Sequence, residues 1–278
     1  MTQPKISIIV PCFNQAQFLD EALQSVLDQS YQDWECIIVN DGSPDNTEEI
    51  AQQWVNKDPR FKYIKKENEG ISAARNKGIQ EAKGTFILPL DADDKISSHY
   101  VKLAIQEFDK DDALAMVYCK AQKFGAESGP WELENYSLKR LAKINMIFCS
   151  GVYKRSDWEA VGGYDEKMVH GLEDWEFWIA LLKSGKKVIQ LDEVGFYYRV
   201  KEGSRNTVIS KEQYKDLFDY MGIKHVDFYI EHIGNFPQLL SDNYQLKLKL
   251  RTLMTSKKHA VNVLFKSVFG RNLFKIKE

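Results

Sequence analysis

Residues 6–14 read Ile6-Ser7-Ile8-Ile9-Val10-Pro11-Cys12-Phe13-Asn14, a run of strand length, apolar but for Ser7, that stops at a proline and a polar turn. A near-continuous apolar run is what a strand covered on both faces requires, and such strands belong to parallel sheets flanked by helices. Immediately downstream, Phe18, Leu19, Ala22, Leu23, Val26 and Leu27 form an apolar stripe at helical spacing, and Asn14 is placed to cap that helix. Cys36 to Val39 is a second buried strand, and it runs into the turn cluster Asn40-Asp41-Gly42-Ser43-Pro44. Asp45 and Glu48 have capping-box spacing for a helix through Trp54.

The alternation continues. Phe61 to Lys65 predicts a third strand, Ile71 to Ala82 a helix preceded by Gly70, and Thr85 to Leu90 a fourth strand that ends in Asp91-Ala92-Asp93-Asp94. Strand and helix in turn with short connections imply an α/β fold with a Rossmann-like, mostly parallel sheet. In such sheets ligands bind beyond the carboxyl ends of the strands, where the clusters at residues 40–43 and 91–94 fall.

From about Leu114 the pattern is less regular. Leu114 to Cys119 and Cys149 to Lys154 read as strands, Gly125 to Asn135 as a loop, and Gly162-Gly163-Tyr164-Asp165 as a turn. Glu173 to Ser184 predicts a helix, with Trp175, Trp178, Ile179 and Leu182 on one face, and Phe196 to Val200 a last strand. Composition shifts after Gly203: from Ser241 to Glu278 nine Lys and Arg face two acidic residues, and Val261, Leu264, Phe265 and Val268 form a stripe beside Lys257, Lys258 and Lys266. The expected domains are therefore 1–205 and a helical, basic, amphipathic extension, 206–278.

A formal net charge of −2 gives no field that would draw nucleic acid, and no basic-aromatic RNA-binding signature is present. The four cysteines, Cys12, Cys36, Cys119 and Cys149, show no C-x-x-C spacing. No charged and apolar leader opens the chain and no run approaches ~18 apolar residues, so a cytoplasmic protein is expected, with the basic tail able to reach the inner face of a cell membrane. The same tail can instead pack on the main domain or on a second copy in a homodimer.

Five clusters can carry chemistry, and each also has a plain structural reading. Asp91 and Asp93, two apart, share a face if the segment is extended, giving an oxygen-rich seat for Mg²⁺ or Mn²⁺; otherwise they form a solvated acidic turn. Asn40 and Asp41 suit the edge of a base or ribose, or an ordinary Asx turn. Gly70, at the start of a helix of small residues, lets a ligand approach backbone N–H groups, with Arg75 near enough for a phosphate; or the helix is simply capped at Ser72. Asp174 at a helix start is a candidate general base, kept ionised by the helix dipole, or it merely complements that dipole. Arg199 and Lys201 alternate on one strand face within Tyr198 to Arg205 and can grip a diphosphate, or they form an exposed basic face.

Together, and in this order, residues 6–14 (ISIIVPCFN), 37–47 (IIVNDGSPDNT), 68–78 (NEGISAARNKG), 88–94 (LPLDADD), 162–166 (GGYDE) and 172–178 (LEDWEFW) resemble the family 2 glycosyltransferases of GT-A fold over roughly residues 4–205. The resemblance implies an inverting single displacement, with residues 1–113 as the nucleotide-sugar half and 114–205 as the acceptor half. It implies Pro11, Asn14, Asn40, Asp41, Gly70, Arg75, Asp91, Arg199 and Lys201 around the donor, Asp93 with Asp91 at the metal, and Asp174 as the base. The implied donor is a UDP-sugar, with GDP- and dTDP-sugars open, and the implied acceptor is a saccharide or lipid-linked hydroxyl in surface polysaccharide or glycoconjugate synthesis. Two departures stand out: Asn40 occupies a position often held by Asp, and Lys201 one often held by His. A nucleotidyltransferase and a non-catalytic carbohydrate-binding relative remain as alternatives. A glycine- and basic-rich phosphate loop is missing from Pro11 to Gln17, against the first, and intact Asp91, Asp93 and Asp174 weigh against the second.

Overall fold

The computed structural model of the chain describes residues 3–201, 209–255, 261, 262 and 266. The elements are β1 (Ile6–Cys12), α1 (Ala16–Leu27), β2 (Trp34–Asp41), α2 (Thr47–Lys57), β3 (Phe61–Lys66), α3 (Ile71–Glu81) and β4 (Phe86–Pro89). Then come β5 (Lys95–Ile96), α4 (Tyr100–Lys110), β6 (Leu114–Gly125), β7 (Gly129–Trp131), α5 (Leu138–Leu141), β8 (Val152–Lys154) and α6 (Arg155–Val161). The chain continues through α7 (Glu173–Leu182), β9 (Lys187–Val200), α8 (Lys211–Lys224), α9 (Val226–His232) and α10 (Phe236–Thr255). One mixed sheet has the order β3-β2-β1-β4-β8-β6-β9-β5, with β7 paired to β6. β1 to β4 pair parallel with one another, whereas the pairs β4–β8, β5–β9, β6–β7 and β6–β8 are antiparallel.

β1 and β2 are buried at every position, as their apolar runs predict. Each buried Ile or Val side chain there contributes roughly 1.5–3 kcal/mol when taken from water. Ser7, the polar exception in β1, is satisfied: its hydroxyl donates to Glu35 at 2.6 Å and accepts from the Gly84 N–H at 2.9 Å. Helix α3 lies close against β1 and β2 because Gly78 has no side chain; a Cβ there would stand 2.5 Å from Ile9 Cγ2.

Several local expectations differ from what folds. Asn14 does not cap α1. It sits at φ +54°, and the N–H of Ala16 is accepted instead by Asp45 Oδ2 at 2.9 Å, from the next loop. Asp45 and Glu48 form no capping box; Asp45 accepts from the N–H and hydroxyl of Thr47, at 3.2 and 2.6 Å, in a local turn. Residues 125–135 are not all loop, because β7 folds back on β6 as a short hairpin. β9 starts nine residues earlier than Phe196 and runs beside β6 through register shifts.

By contacts the chain divides into residues up to Val226 and residues from Asp227 on. The first unit extends past 205 because α8 is anchored on α7: Glu176, fully buried, meets Lys224 Nζ at 2.8 Å and His225 Nε2 at 2.6 Å. In the second unit α9 and α10 are helical, as expected of the extension. Gly203, Ser204, Arg205, Lys257, Lys258, Leu264, Phe265 and Val268 lie outside the described residues, and with them most of the predicted amphipathic stripe. No helix of the described residues is long and apolar enough to cross a membrane.

Candidate active site

A cleft of about 810 Å³ opens at the carboxyl ends of β1, β2 and β4. Pro11, Asp41, Gly70 and Arg75 line it, together with Asp91, Asp93, Arg199, Lys201 and Asp174. Side chains from both halves of the first unit thus meet in one crevice.

Two candidates stay outside that lining. Asn40 is buried; its amide donates to the Tyr63 hydroxyl at 2.9 Å and its carbonyl accepts from the Ser43 N–H at 2.8 Å. With its bonds made internally, it shapes the turn rather than facing a base. Asn14 is exposed in the neighbouring loop, its N–H bonded to Ser43 Oγ at 3.1 Å. Asp41 does face the cleft, and it also accepts from the N–H groups of Glu69 and Gly70 at 3.1 and 2.9 Å, which fastens the loop before α3 to the end of β2. Gly42, at φ +71°, permits the two loops to touch, since a Cβ there would lie 2.8 Å from the Asn68 nitrogen.

Residues 91–94 form a turn closed by a 3.0 Å bond from the Asp94 N–H to the Asp91 carbonyl. The segment is therefore not extended, and the alternation that would put Asp91 and Asp93 on one face does not apply. Among the described residues, the ligand atoms that come together within 4.8 Å are those of Asp91, Asp94 and Cys149. Asp94 is buried, accepts from the Arg199 N–H at 2.8 Å, and has its pKa held well above the usual carboxylate value by burial and by the charges of Asp93 and Asp91. Asp93 is ion-paired to Lys201.

Arg75 is buried and does not reach out as a phosphate ligand would. Its two terminal nitrogens hold Asp91 at 2.7 Å and Glu173 at 2.9 Å. Arg199 likewise turns inward: Nε donates to the Asp93 carbonyl at 2.8 Å, and the guanidinium pairs with Glu21 and lies over Phe18 and Phe124. Lys201 differs, remaining at the cleft between Asp93 and Gln15, whose Oε1 it meets at 3.1 Å.

Asp174 opens α7 after two residues in the left-handed region, Gly171 at φ +125° and Leu172 at φ +61°. A left-handed leucine is a strained conformation of the kind found where a neighbour must be aimed. Oδ1 of Asp174 accepts from Asn145 Nδ2 at 3.1 Å and from the Trp175 N–H at 2.7 Å. Burial, and next the charge of Glu173, push its pKa up to about 7. The helix start therefore does not keep it firmly ionised, as the dipole argument expects; desolvation outweighs the dipole. A carboxylate with a pKa near 7 suits proton abstraction at neutral pH.

Asn145, Cys149 and Glu173 are site residues that sequence reasoning missed. Glu173 had a signal, since it adjoins Asp174 in a segment already singled out. Asn145 and Cys149 come from an irregular stretch with no periodicity to mark them.

Residues 7–162 match the family model for glycosyl transferase family 2. The chain is 31% identical over 212 residues to a hyaluronan synthase of Pasteurella multocida, covering 75% of this chain and 21% of that one. It is also 31% identical over 231 residues to the uncharacterized glycosyltransferase EpsJ of Bacillus subtilis, covering 78% and 66%. The chain thus spans about a fifth of the synthase and about two thirds of EpsJ. Among solved structures, S. aureus TarS 1-349 in complex with UDP-GlcNAc superposes with a TM-score of 0.69 at 19% identity, over 93% of this chain and 75% of that one. The mannosyltransferase PcManGT of Pyrobaculum calidifontis, in complex with GDP-Man and Mn²⁺, gives 0.62 at 17% identity, over 97% and 88%. The expected GT-A architecture is the one observed. With more than half of its length under the family model, the chain belongs to glycosyl transferase family 2.

Proposed function

We propose that this protein is an inverting glycosyltransferase that moves a hexose-type sugar from a nucleoside-diphosphate sugar to an acceptor hydroxyl in the synthesis of a bacterial surface polysaccharide or glycoconjugate. The observation that carries this reading is that Asp174, with its pKa near 7, lines the same cleft as Asp91 and Asp93. Asp174 takes the proton of the acceptor hydroxyl as its oxygen attacks the anomeric carbon. The bond from that carbon to the diphosphate breaks on the opposite side, and a nucleoside diphosphate departs. Pro11, Asp41, Gly70 and Lys201 all line that cleft; in this reading the first three border the nucleoside and Lys201 meets the diphosphate. Arg75 and Arg199 act through the carboxylates and carbonyl they hold. TarS with UDP-GlcNAc favours a UDP-sugar, and the mannosyltransferase with GDP-Man keeps a guanine donor as an alternative. The B. subtilis relative TuaG, a putative teichuronic acid biosynthesis glycosyltransferase 29% identical over 232 residues, supports the pathway class.

The donor set fits a hard divalent cation, Mn²⁺ or Mg²⁺. Asp91 and Asp93 offer carboxylate oxygens at the cleft, and Asp94 lies within reach of Asp91; oxygen ligands are what such an ion prefers. Such an ion, when bound, would neutralise charge gathering on the departing diphosphate.

The test is a thermal-shift screen of UDP-, GDP- and dTDP-sugars with and without Mn²⁺, followed by product analysis. A shift for one donor with release of its nucleoside diphosphate supports the reading. Release of pyrophosphate would instead favour a nucleotidyltransferase.

A further inference from the structure

We propose that the aromatic edge of α8, Tyr214 backed by Phe218, is a platform for the pyranose ring of a saccharide acceptor. This deepens the reading above and rests on it for the position of the base. Tyr214 lines the cleft that Asp174 lines, together with Val169 and Ile209. Tyr214 is 42% exposed and Val169 57%, so residues that line the crevice leave apolar surface uncovered. Apolar surface gathered in a concave site marks a place that a ligand covers.

The platform is tied to the base through packed rings. Tyr214 and Phe218 lie one turn apart with ring centroids 5.1 Å from each other. Phe218 in turn meets Trp175 edge-on at 5.5 Å and 83°. Trp175 is buried, its indole N–H bonded to the Leu141 carbonyl at 2.7 Å, and its backbone N–H is one of the two groups that bond Asp174 Oδ1. The exposed ring is therefore set at a fixed position relative to the carboxylate that receives the proton.

Helix α8 opens on a reciprocal capping box, Ser210 with Gln213, that satisfies its own first turn. Near its far end Tyr220 and Lys224 both bond Asp165, at 2.7 and 2.6 Å. An aromatic face lining the same cleft as Asn145 and Asp174 offers what a sugar requires, a flat surface for its C–H groups and polar atoms for its hydroxyls. All of α8 lies beyond residue 162, where the family match ends, so this surface belongs to the part of the chain that can set acceptor choice.

The experiment uses the full chain and saturation-transfer NMR with a panel of free oligosaccharides of glucose, galactose, N-acetylglucosamine and mannose. Wild type is expected to bind at least one of them. Tyr214→Ala should weaken that binding roughly tenfold, and Tyr214→Phe should retain it, with both variants melting as wild type does. If wild type binds none, or Tyr214→Ala binds as tightly as wild type, the platform is overturned. UDP, GDP and dTDP binding, followed by thermal shift in the same samples, reports on the transferase reading separately: loss of the platform leaves nucleotide binding intact, whereas a wild-type chain that binds none of the three overturns the donor assignment.

Discussion

Arg75 donates to Glu173 at 2.9 Å across 98 positions of chain, while its other terminal nitrogen holds Asp91 at 2.7 Å. One buried guanidinium thus joins the acidic turn after β4 to the start of the helix that carries Asp174. Its pKa is driven well above the ordinary value; burial alone would lower it, and the carboxylates of Asp91 and Glu173 more than reverse that. Arg75→Met leaves two carboxylates without their partner. The expected loss is about 3–5 kcal/mol, read as a lower urea midpoint with unchanged slope. Unaltered stability would mean that the two carboxylates are well solvated without it.

Lys201 is ion-paired to Asp93. If Asp93 is to meet a cation, the ammonium must first let go. Lys201→Met should therefore tighten Mn²⁺ binding to the nucleotide-free protein by roughly tenfold, a difference of ~1.4 kcal/mol, as measured by calorimetry. The same change should weaken UDP binding in the absence of metal, since a cation facing the diphosphate is gone. Equal Mn²⁺ affinity in the two proteins would count against Asp93 as a ligand.

Gly78 tests the packing that positions α3. A Cβ there would sit 2.5 Å from Ile9 Cγ2 and 3.0 Å from Val39 Cγ2, in the fully buried pair β1 and β2. Gly78→Ala is expected to lower stability by about 1–3 kcal/mol despite its better helix propensity, because overpacking wins over propensity in a core. A thermal melt decides it, and a raised midpoint would show that the sheet yields easily.

Asp174 should make stability fall as pH rises. Its folded pKa of about 7 exceeds the ordinary value of 3.8, so between those two values the folded chain binds more proton than the unfolded one. The stability that protonated Asp174 contributes is fully present below the unfolded pKa and is lost as pH climbs through about 7. Asp174→Asn removes that dependence, so the variant should melt higher than wild type at pH 8 and show a smaller gap at pH 5. A lower melting point for the variant at pH 8 would contradict the direction of the shift.

Much of the first half was legible in the sequence because β1 and β2 are buried on both faces, and that condition writes itself as an apolar run. Where a contact is made by distant chain, no local pattern holds it. The start of α1 is satisfied by Asp45, 29 positions away, so Asn14 looked like the cap. Arg75 in a helix of small residues reads as a phosphate ligand until Asp91 and Glu173 fold onto it. The acidic cluster was visible as a cluster, but a turn rather than a strand decides which oxygens meet, and it brings Asp94 and Cys149 to Asp91. Helix α6 buries no residue and so has no stripe to read. β7, with Gly129 and Pro130 in its three residues, carries the composition of a loop and is a strand only because β6 pairs with it.

The most direct measurement of the central claim is the pH dependence of sugar transfer by wild type and Asp174→Asn under single turnover with bound donor. Wild-type transfer should rise as pH passes through about 7 and then level. Asp174→Asn should bind the donor as before, transfer ~10²–10⁴-fold more slowly than wild type above pH 7, and lack the rise near neutral pH. Transfer by the variant at the wild-type rate, with the same rise near neutral pH, would show that some other group takes the proton.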